Sequence, residues 1–292
     1  LNELLIEYET YLKKGTEKSE NTVNSYINDL YKFYDYLNEG KDSVDLLDVK
    51  KTTVLKYIIY LQNKSRSTST LARVLSSLRF FYDYCYNKKL VSNNPCYKVK
   101  TPKVETKKVD YLKEEEIVRL IEKPDLDNYY GLRDRAMLEL MYSTGIKVSE
   151  IVDLKIEDYK RNGPYILVGN DRVLPVGKTA DSFLRRYIDD DRAKLKKGKD
   201  SEYIFLNKSG KRLSRQGFWK KIKKYAREVN IRKNITPQVI RNTFAFHLLN
   251  NGASLQAVSQ MLGHNSIQTT QQYIKNYDVK VLDEFKKNHP RA

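Results

Sequence analysis

Cysteine, histidine and long apolar runs are scarce in this chain, and each scarcity removes a class of protein. Only two cysteines occur in 292 residues, Cys85 and Cys96, at a spacing that suggests neither a disulfide framework nor a metal site. They read as reduced, structural thiols. No window has the length and apolarity of a membrane span. The first residues, Leu-Asn-Glu-Leu-Leu-Ile-Glu, carry acids where an export signal needs a basic start, so a cytoplasmic, nucleoid-associated protein without membrane attachment is expected. No spacing calls for a cofactor or a metal, and none is expected.

Positive charge is plentiful. The formal net charge is +17 and the sequence pI is near 9.5, which points to a polyanionic partner, nucleic acid ahead of an anionic membrane. The excess is localised. Residues 1–98 carry 15 basic and 12 acidic side chains, whereas Arg192 to Lys233 alone carry 16 and 3. Apolar residues make up 40% of the chain, enough to fill two modest cores. Tyrosine occurs 23 times, so a single Tyr is weak evidence of chemistry.

Apolar spacing predicts a first helix over 4–12 that ends at Gly15. A second, with Ser19 or Asn21 as its cap, buries Val23, Tyr26, Ile27, Leu30, Phe33, Tyr34 and Leu37. A third covers 54–61 and a fourth about 70–86, giving a compact helical domain over residues 1–98. Residues 99–111 form a basic, extended linker. The second domain, 112–292, begins with an acid-led helix, continues with apolar helices over 134–142 and 148–154, and then changes period. Tyr165 to Val168 and Arg172 to Val176 read as a hairpin turning at Gly169, Asn170 and Asp171. A helix over 183–194, a short strand over 203–206 and a basic helix over 216–229 follow. The remainder is helical.

Three residues in the last third suit phosphodiester chemistry: Arg241 for its fork, His264 as a donor and Tyr273 as a nucleophile. In the basic helix, Lys220, Lys221, Lys223 and Lys224 leave the apolar seam Phe218, Trp219, Ile222, Tyr225 and Ala226 free. Arg215 and Gln216 sit at its start, where side chains can reach base edges. A solvated charged face is the plainer account of such a run. His247, beside Phe244 and Leu248, reads as a packed structural histidine.

Several ordered blocks resemble the tyrosine recombinase, or phage integrase, family in its Xer branch. They are Ser19-Glu-Asn-Thr22 with Tyr26, Thr70-Leu-Ala-Arg73, Leu78-Arg-Phe-Phe-Tyr82, Asn94-Pro95, Leu132-Arg-Asp-Arg-Ala136, Ser143-Thr-Gly-Ile-Lys-Val-Ser-Glu150, Arg215-Gln-Gly-Phe-Trp219, Leu262-Gly-His264 and Tyr273. The resemblance covers almost the whole chain. It implies a mainly α fold with a small antiparallel sheet: a SAM-like helical core-binding domain and an α+β catalytic domain, set on opposite sides of double-stranded DNA. It also implies that Arg215, Gln216, Lys220, Lys221, Lys224, Arg172 and Arg241 face DNA, with Arg66, Ser67, Thr68, Arg73 and Arg79 as weaker candidates in the first domain. A core polar contact competes as the account of Arg79.

The same resemblance implies a metal-free site in which two arginines hold the scissile phosphate, a histidine three residues before the second arginine assists proton transfer, a hairpin lysine protonates the leaving 5′ oxygen, a later His or Trp supports the phosphate, and Tyr273 forms a 3′ phosphotyrosine link. Arg241, His264, Tyr273 and Glu150 match that pattern. Lys147 stands at the first arginine position and has no fork. Gln238 stands at the first histidine position and cannot carry a proton near neutral pH. The hairpin sequence Gly169-Asn170-Asp171-Arg172 is short and lacks a lysine.

These changes lead to the expectation of a sequence-specific DNA-binding protein that keeps the recombinase frame without strand cleavage, used as a transcriptional repressor of a phage or mobile element. Two alternatives stand beside it: an active site-specific recombinase, and an architectural accessory at recombination sites. Self-association through a C-terminal helix bearing Val281, Leu282 and Phe285, or control by a protein or peptide partner, is a further expectation.

Overall fold

The computed structural model describes residues 2–39, 43–102, 109–169, 172–196, 201–264 and 266–274, with residues 2 and 272–274 described by their backbone alone. The hairpin tip Asn170-Asp171, most of the linker and the segment with Val281, Leu282 and Phe285 lie outside the described residues. The chain forms two compact units, Leu1–Lys107 and Lys108–Ala292.

The first unit consists of α1 (Asn2–Lys14), α2 (Glu20–Asn38), α3 (Lys51–Asn63) and α4 (Thr68–Asn87). Their apolar stripes converge on one core containing Leu5, Tyr8, Leu30, Phe33, Leu75, Leu78 and Phe81. Ser19 caps α2 by accepting from the Thr22 backbone, and Ser67 caps α4 by accepting from Thr70. Helix α3 is longer than the spacing predicts. Thr52 and Thr53 lie inside its first turn, and Lys50 is the capping position. Tyr11, on the same helix as the buried Leu5 and Tyr8, is 38% exposed.

The second unit opens with α5 (Glu114–Glu122), α6 (Tyr129–Thr144) and α7 (Val148–Asp153). Helix α6 begins earlier than its apolar run because Asn128 Oδ1 caps Tyr130 and Gly131. The second turn brings charge inside, and the charge is paired: Asp134, fully buried, accepts from Arg133, from Tyr225 at 2.7 Å and from Lys221 at 3.2 Å.

Strands β1 (Tyr159–Lys160), β2 (Tyr165–Val168) and β3 (Arg172–Pro175) form an antiparallel sheet in the order β1-β2-β3, with Val168 opposite Arg172. The helix expected over 183–194 is three pieces: α8 (Lys178–Arg186), a π turn (Tyr187–Asp191) and α9 (Arg192–Lys196).

No strand forms at 203–206. Tyr203 and Leu206 make isolated bridges to Lys155 and Arg212. The guanidinium of Arg192 binds the carbonyls of Ser201 (2.6 Å) and Tyr203 (2.7 Å), acceptors that a ladder would otherwise have used. Helices α10 (Arg215–Glu228), α11 (Pro237–Asn250), α12 (Leu255–Leu262) and α13 (Ile267–Ile274) complete the unit. Apolar residues from α5 to the start of α11 share one core, and Phe244, Ala245, Leu249, Val258 and Leu262 form a second that joins α11 to α12.

Candidate functional site

Helix α11 starts with Thr236 as its cap and Pro237 in the first turn, a position that needs no backbone donor. One turn later Arg241 points inward and is 3% exposed. Its Nη1 donates to Gly145 O at 2.6 Å and its Nη2 donates to Leu262 O. Gly145 is the left-handed cap that ends α6, and Leu262 is the last residue of α12, so one guanidinium joins three helix termini. Both carbonyls lie at helix C-termini, where cations are favoured.

Lys147 caps the next helix, α7, and is about half exposed. Its Nζ lies 3.6 Å from Glu150 Oε1, while Glu150 Oε2 accepts the Lys147 backbone N–H at 2.9 Å. Arg172, at the start of β3, donates from Nη2 to the same carboxylate and from Nη1 to Leu262 O at 3.2 Å. Glu150 therefore holds two cations beside the site and serves as a backbone cap. The Leu262 carbonyl accepts from both Arg172 and Arg241.

Gly263 follows in the left-handed region, with φ +60°, and turns the chain into His264. The His264 Nδ1 and the Thr270 hydroxyl of α13 share a 2.8 Å hydrogen bond. Burial pushes the imidazole pKa down to about 4, and the charges of Arg241, Lys147 and Arg172 push it in the same direction. His264 is thus neutral at pH 7, and these three cations surround it. Tyr273 lies on α13 one turn beyond Thr270.

A groove of about 560 Å³ opens above Arg241, lined by Lys147, Val148, Ser149, Arg215, Gln216, Trp219, Thr236, Pro237 and Gln238. It brings together Lys147, Gln238, Arg241, Arg215 and Gln216 of the residues singled out in the sequence. Gln238 is exposed and donates from Nε2 to Asn242 Oδ1 at 2.8 Å. Trp219, assigned by spacing to the apolar seam of α10, is 39% exposed on the groove and donates to Ile235 O. The Lys223 ammonium sits 4.1 Å from its ring centroid.

The remaining candidates lie apart from the groove. Lys220 and Lys224 are exposed on α10, Lys224 being 3.6 Å from Glu228, whereas Lys221 is held by the buried Asp134. In the first unit Arg66, Ser67 and Thr68 are exposed where α4 begins. Arg73 is bound to the buried Asp29, and Arg79 donates to Val99 O at 3.0 Å. His247 is buried against Tyr142, sharing a 2.8 Å hydrogen bond with its hydroxyl, and burial lowers its pKa. Among the described residues no cluster of His, Cys, Asp and Glu could hold a metal, and no helix is long and apolar enough to cross a membrane.

Sequence reasoning missed Thr270 and Asn242. Thr270 is fully buried, yet in the sequence it is one of two adjacent threonines. Asn242 bonds Gln238 on one side and Asp110 O on the other, contacts that no spacing announces.

A helical unit followed by a helical unit with a three-stranded sheet, a groove lined by Lys147, Arg215 and Arg241, and a tyrosine on α13 define an integrase-like class. The profile of the Phage integrase family matches residues 110–280, and that of the Phage integrase, N-terminal SAM-like domain matches residues 5–89. The chain belongs to the phage integrase family. It is 39% identical over 297 residues to tyrosine recombinase XerD of Staphylococcus epidermidis, and 35% identical over 297 residues to tyrosine recombinase XerD of Listeria monocytogenes, with 100% of each chain covered in both cases.

Among solved structures, XerA recombinase is 26% identical with a TM-score of 0.56, covering 100% of this chain and 99% of its own. XerH site-specific recombinase bound to palindromic difH substrate has a TM-score of 0.75 at 21% identity, covering 96% of this chain and 83% of its own, a likeness of fold alone. These relatives are named recombinases. They give no support to a transcriptional repressor and favour the recombinase alternative.

Proposed function

We propose that the chain is a site-specific tyrosine recombinase that binds double-stranded DNA and cleaves it through Tyr273. The observation that carries the reading is the end-to-end similarity to tyrosine recombinases, 39% over 100% of both chains. The groove that brings Lys147, Gln238 and Arg241 together supports it. In the reaction the Tyr273 hydroxyl gives up its proton to water as its oxygen attacks the scissile phosphorus, the bond from phosphorus to the 5′ oxygen breaks, and a 3′ phosphotyrosine forms. Arg241, Lys147 and a neutral His264 offset the charge that builds on the phosphoryl oxygens. Gln238 donates a hydrogen bond and no proton. Water in the open groove protonates the leaving oxygen, so cleavage is slow for this class of site.

One observation favours a second reading, binding without cutting: Lys147, Gln238 and a hairpin sequence without lysine together replace a fork, a proton carrier and a general acid. A nicked suicide substrate carrying the protein's selected binding site separates the two. A covalent adduct that disappears in Tyr273→Phe establishes the recombinase, whereas tight binding with no adduct establishes the binder.

A further inference from the structure

The lysines of α10, Lys220, Lys221, Lys223 and Lys224, look equivalent in the sequence, and the fold gives one of them a different task. The Lys221 side chain is 32% exposed, and its Nζ lies 3.2 Å from Asp134 Oδ2. Asp134 of α6 is fully buried. Its Oδ1 accepts from Nε and Nη2 of Arg133, and its Oδ2 accepts from the Tyr225 hydroxyl at 2.7 Å as well as from Lys221. Burial and the Asp134 charge push the Tyr225 pKa up, so its hydroxyl keeps the proton that it donates. An ammonium that a buried carboxylate holds is committed there, because leaving would strand the negative charge away from water.

At about 100° per residue, the apolar seam of α10 runs through Phe218 and Ile222, with Lys221 on one flank and Trp219 on the other. Trp219 closes its own flank by donating from Nε1 to Ile235 O at 3.3 Å, with the Lys223 ammonium 4.1 Å from its ring centroid. The helix is thus gripped on both sides of its core face. Arg215 and Gln216, one turn before Trp219, are exposed on the groove, and their side chains make no hydrogen bond or ion pair among the described residues. Their direction therefore follows the rotation of the helix. A turn of about 20° moves a side-chain tip about 5–6 Å from the axis by about 2 Å, more than a hydrogen bond tolerates.

We infer that Lys221 is a positioning residue: by tying α10 to the buried Asp134 of α6 it sets the rotation at which Arg215 and Gln216 face the groove, and it makes no phosphate contact of its own. This rests on the DNA-binding part of the proposed function for its purpose, though not for its geometry. Helix α6 also ends at Gly145, whose carbonyl holds Arg241, so one helix fixes both walls of the groove. The basic run then divides by task. Lys220 and Lys224, exposed on α10, supply charge to a DNA backbone, and Lys221 supplies the aim of the residues that meet base edges.

The first test needs no DNA, because Trp219 is the only tryptophan in the chain and its fluorescence reports on α10 alone. Lys221→Met in the full chain should move the Trp219 emission to the red and raise its quenching by acrylamide, since releasing one flank lets the other turn. Lys221→Arg can still reach Asp134 and should match the wild type. A loss confined to the Lys221 side would not reach Trp219, so any other result in the folded Lys221→Met protein overturns the inference. Where that variant does not fold, Lys221→Met combined with Asp134→Asn removes the charge together with its counter-ion and should show the same release.

The second test measures affinity across a salt series for the protein's selected binding duplex and for a scrambled duplex of equal length. Lys221→Met should lower the ratio of the two affinities by about tenfold or more, as lost base contacts do, with the salt slope of log K unchanged. Lys221→Arg should keep the ratio. A slope that falls by about 1 would make Lys221 an ordinary phosphate contact, and an unchanged ratio would remove the positioning role; either overturns the inference. A wild-type protein that prefers no duplex would defeat the reading of a site-specific protein, while the Trp219 spectra would still decide the contact between Lys221 and Asp134.

Discussion

Arg172 of β3 and Arg241 of α11 donate to the same acceptor, the Leu262 carbonyl that closes α12. Two guanidinium groups on one oxygen repel each other unless counter-charge is near. Here Glu150 supplies it from α7, bound by Arg172 Nη2 and facing Lys147. The positive groove is therefore built on a half-buried negative support.

Glu150→Gln should separate that support from the helix cap. Glutamine can still accept the Lys147 backbone N–H, as in other capping boxes, but it leaves Arg172 without its counter-ion. The expected loss is about 1–3 kcal/mol in urea unfolding, with a similar loss in Arg172→Met. The double variant should lose less than the sum of the two. Strict additivity would show that the pair does not interact.

Lys147→Arg should restore a planar fork at a position that lines the groove. If the recombinase reading holds, adduct formation on the nicked substrate should rise by about tenfold or more, because two phosphate oxygens are then gripped in place of one. An unchanged or lower rate would show that charge alone is used at this position.

Gly263→Ala should be costly for two reasons. The residue adopts φ +60°, and an added Cβ would lie 2.1 Å from Arg172 Nη1. A destabilisation of about 1–3 kcal/mol is expected, together with displacement of Arg172 from Leu262 O. Thermal unfolding beside Gly252→Ala is the check. Gly252 also has positive φ, at +90°, but has nothing within 4 Å of an added Cβ, so the difference between the two variants reads the clash.

Acid should weaken the fold through His264. Its folded pKa, about 4, lies below the ordinary value of 6.5, so the unfolded chain binds the proton first as pH falls. The stabilising contribution is full above about pH 6.5 and is lost progressively between 6.5 and 4. After allowance for solvent screening of a partly exposed ring, the loss by pH 5 should be on the order of 1 kcal/mol. His264→Gln should have a shallower pH dependence than the wild type over this window in urea unfolding, and parallel curves would contradict it. His247, also lowered by burial, contributes with the same sign and is common to both proteins.

Lys220→Ala combined with Lys224→Ala should weaken DNA binding and reduce the salt slope of log K by about 1–2, since fewer counterions are released. Lys221→Ala should act differently. Its ammonium is held 3.2 Å from the buried Asp134, so its loss should lower stability as well as binding. An unchanged slope in the double variant would take the exposed face of α10 out of the interface.

Much of the fold is legible in the sequence because apolar periodicity and capping residues act locally. Ser19 and Gly15 mark helix ends that the structure retains, and the β2–β3 pairing follows from the change of period after Leu154. Boundaries fail where a distant side chain takes over backbone partners. Arg192 does this to Ser201 and Tyr203, so no strand forms there, and Asn128 starts α6 well before its apolar run.

The candidate site divides in the same way. Residue types at Lys147, Gln238, Arg241, His264 and Tyr273 can be read from the chain, since each belongs to an ordered block, and the excess of basic side chains can be counted. The sequence by itself determined the family, the helical framework and the chemistry available at those positions. Only the tertiary structure decided what holds them: the carbonyls of Gly145 and Leu262 for Arg241, the carboxylate of Glu150 for Arg172, and the hydroxyl of Thr270 for His264. The physical reason is that every residue has a backbone carbonyl. As an acceptor it leaves no mark in composition or spacing, and it becomes a partner only when folding brings a helix end to within hydrogen-bond distance of a cation.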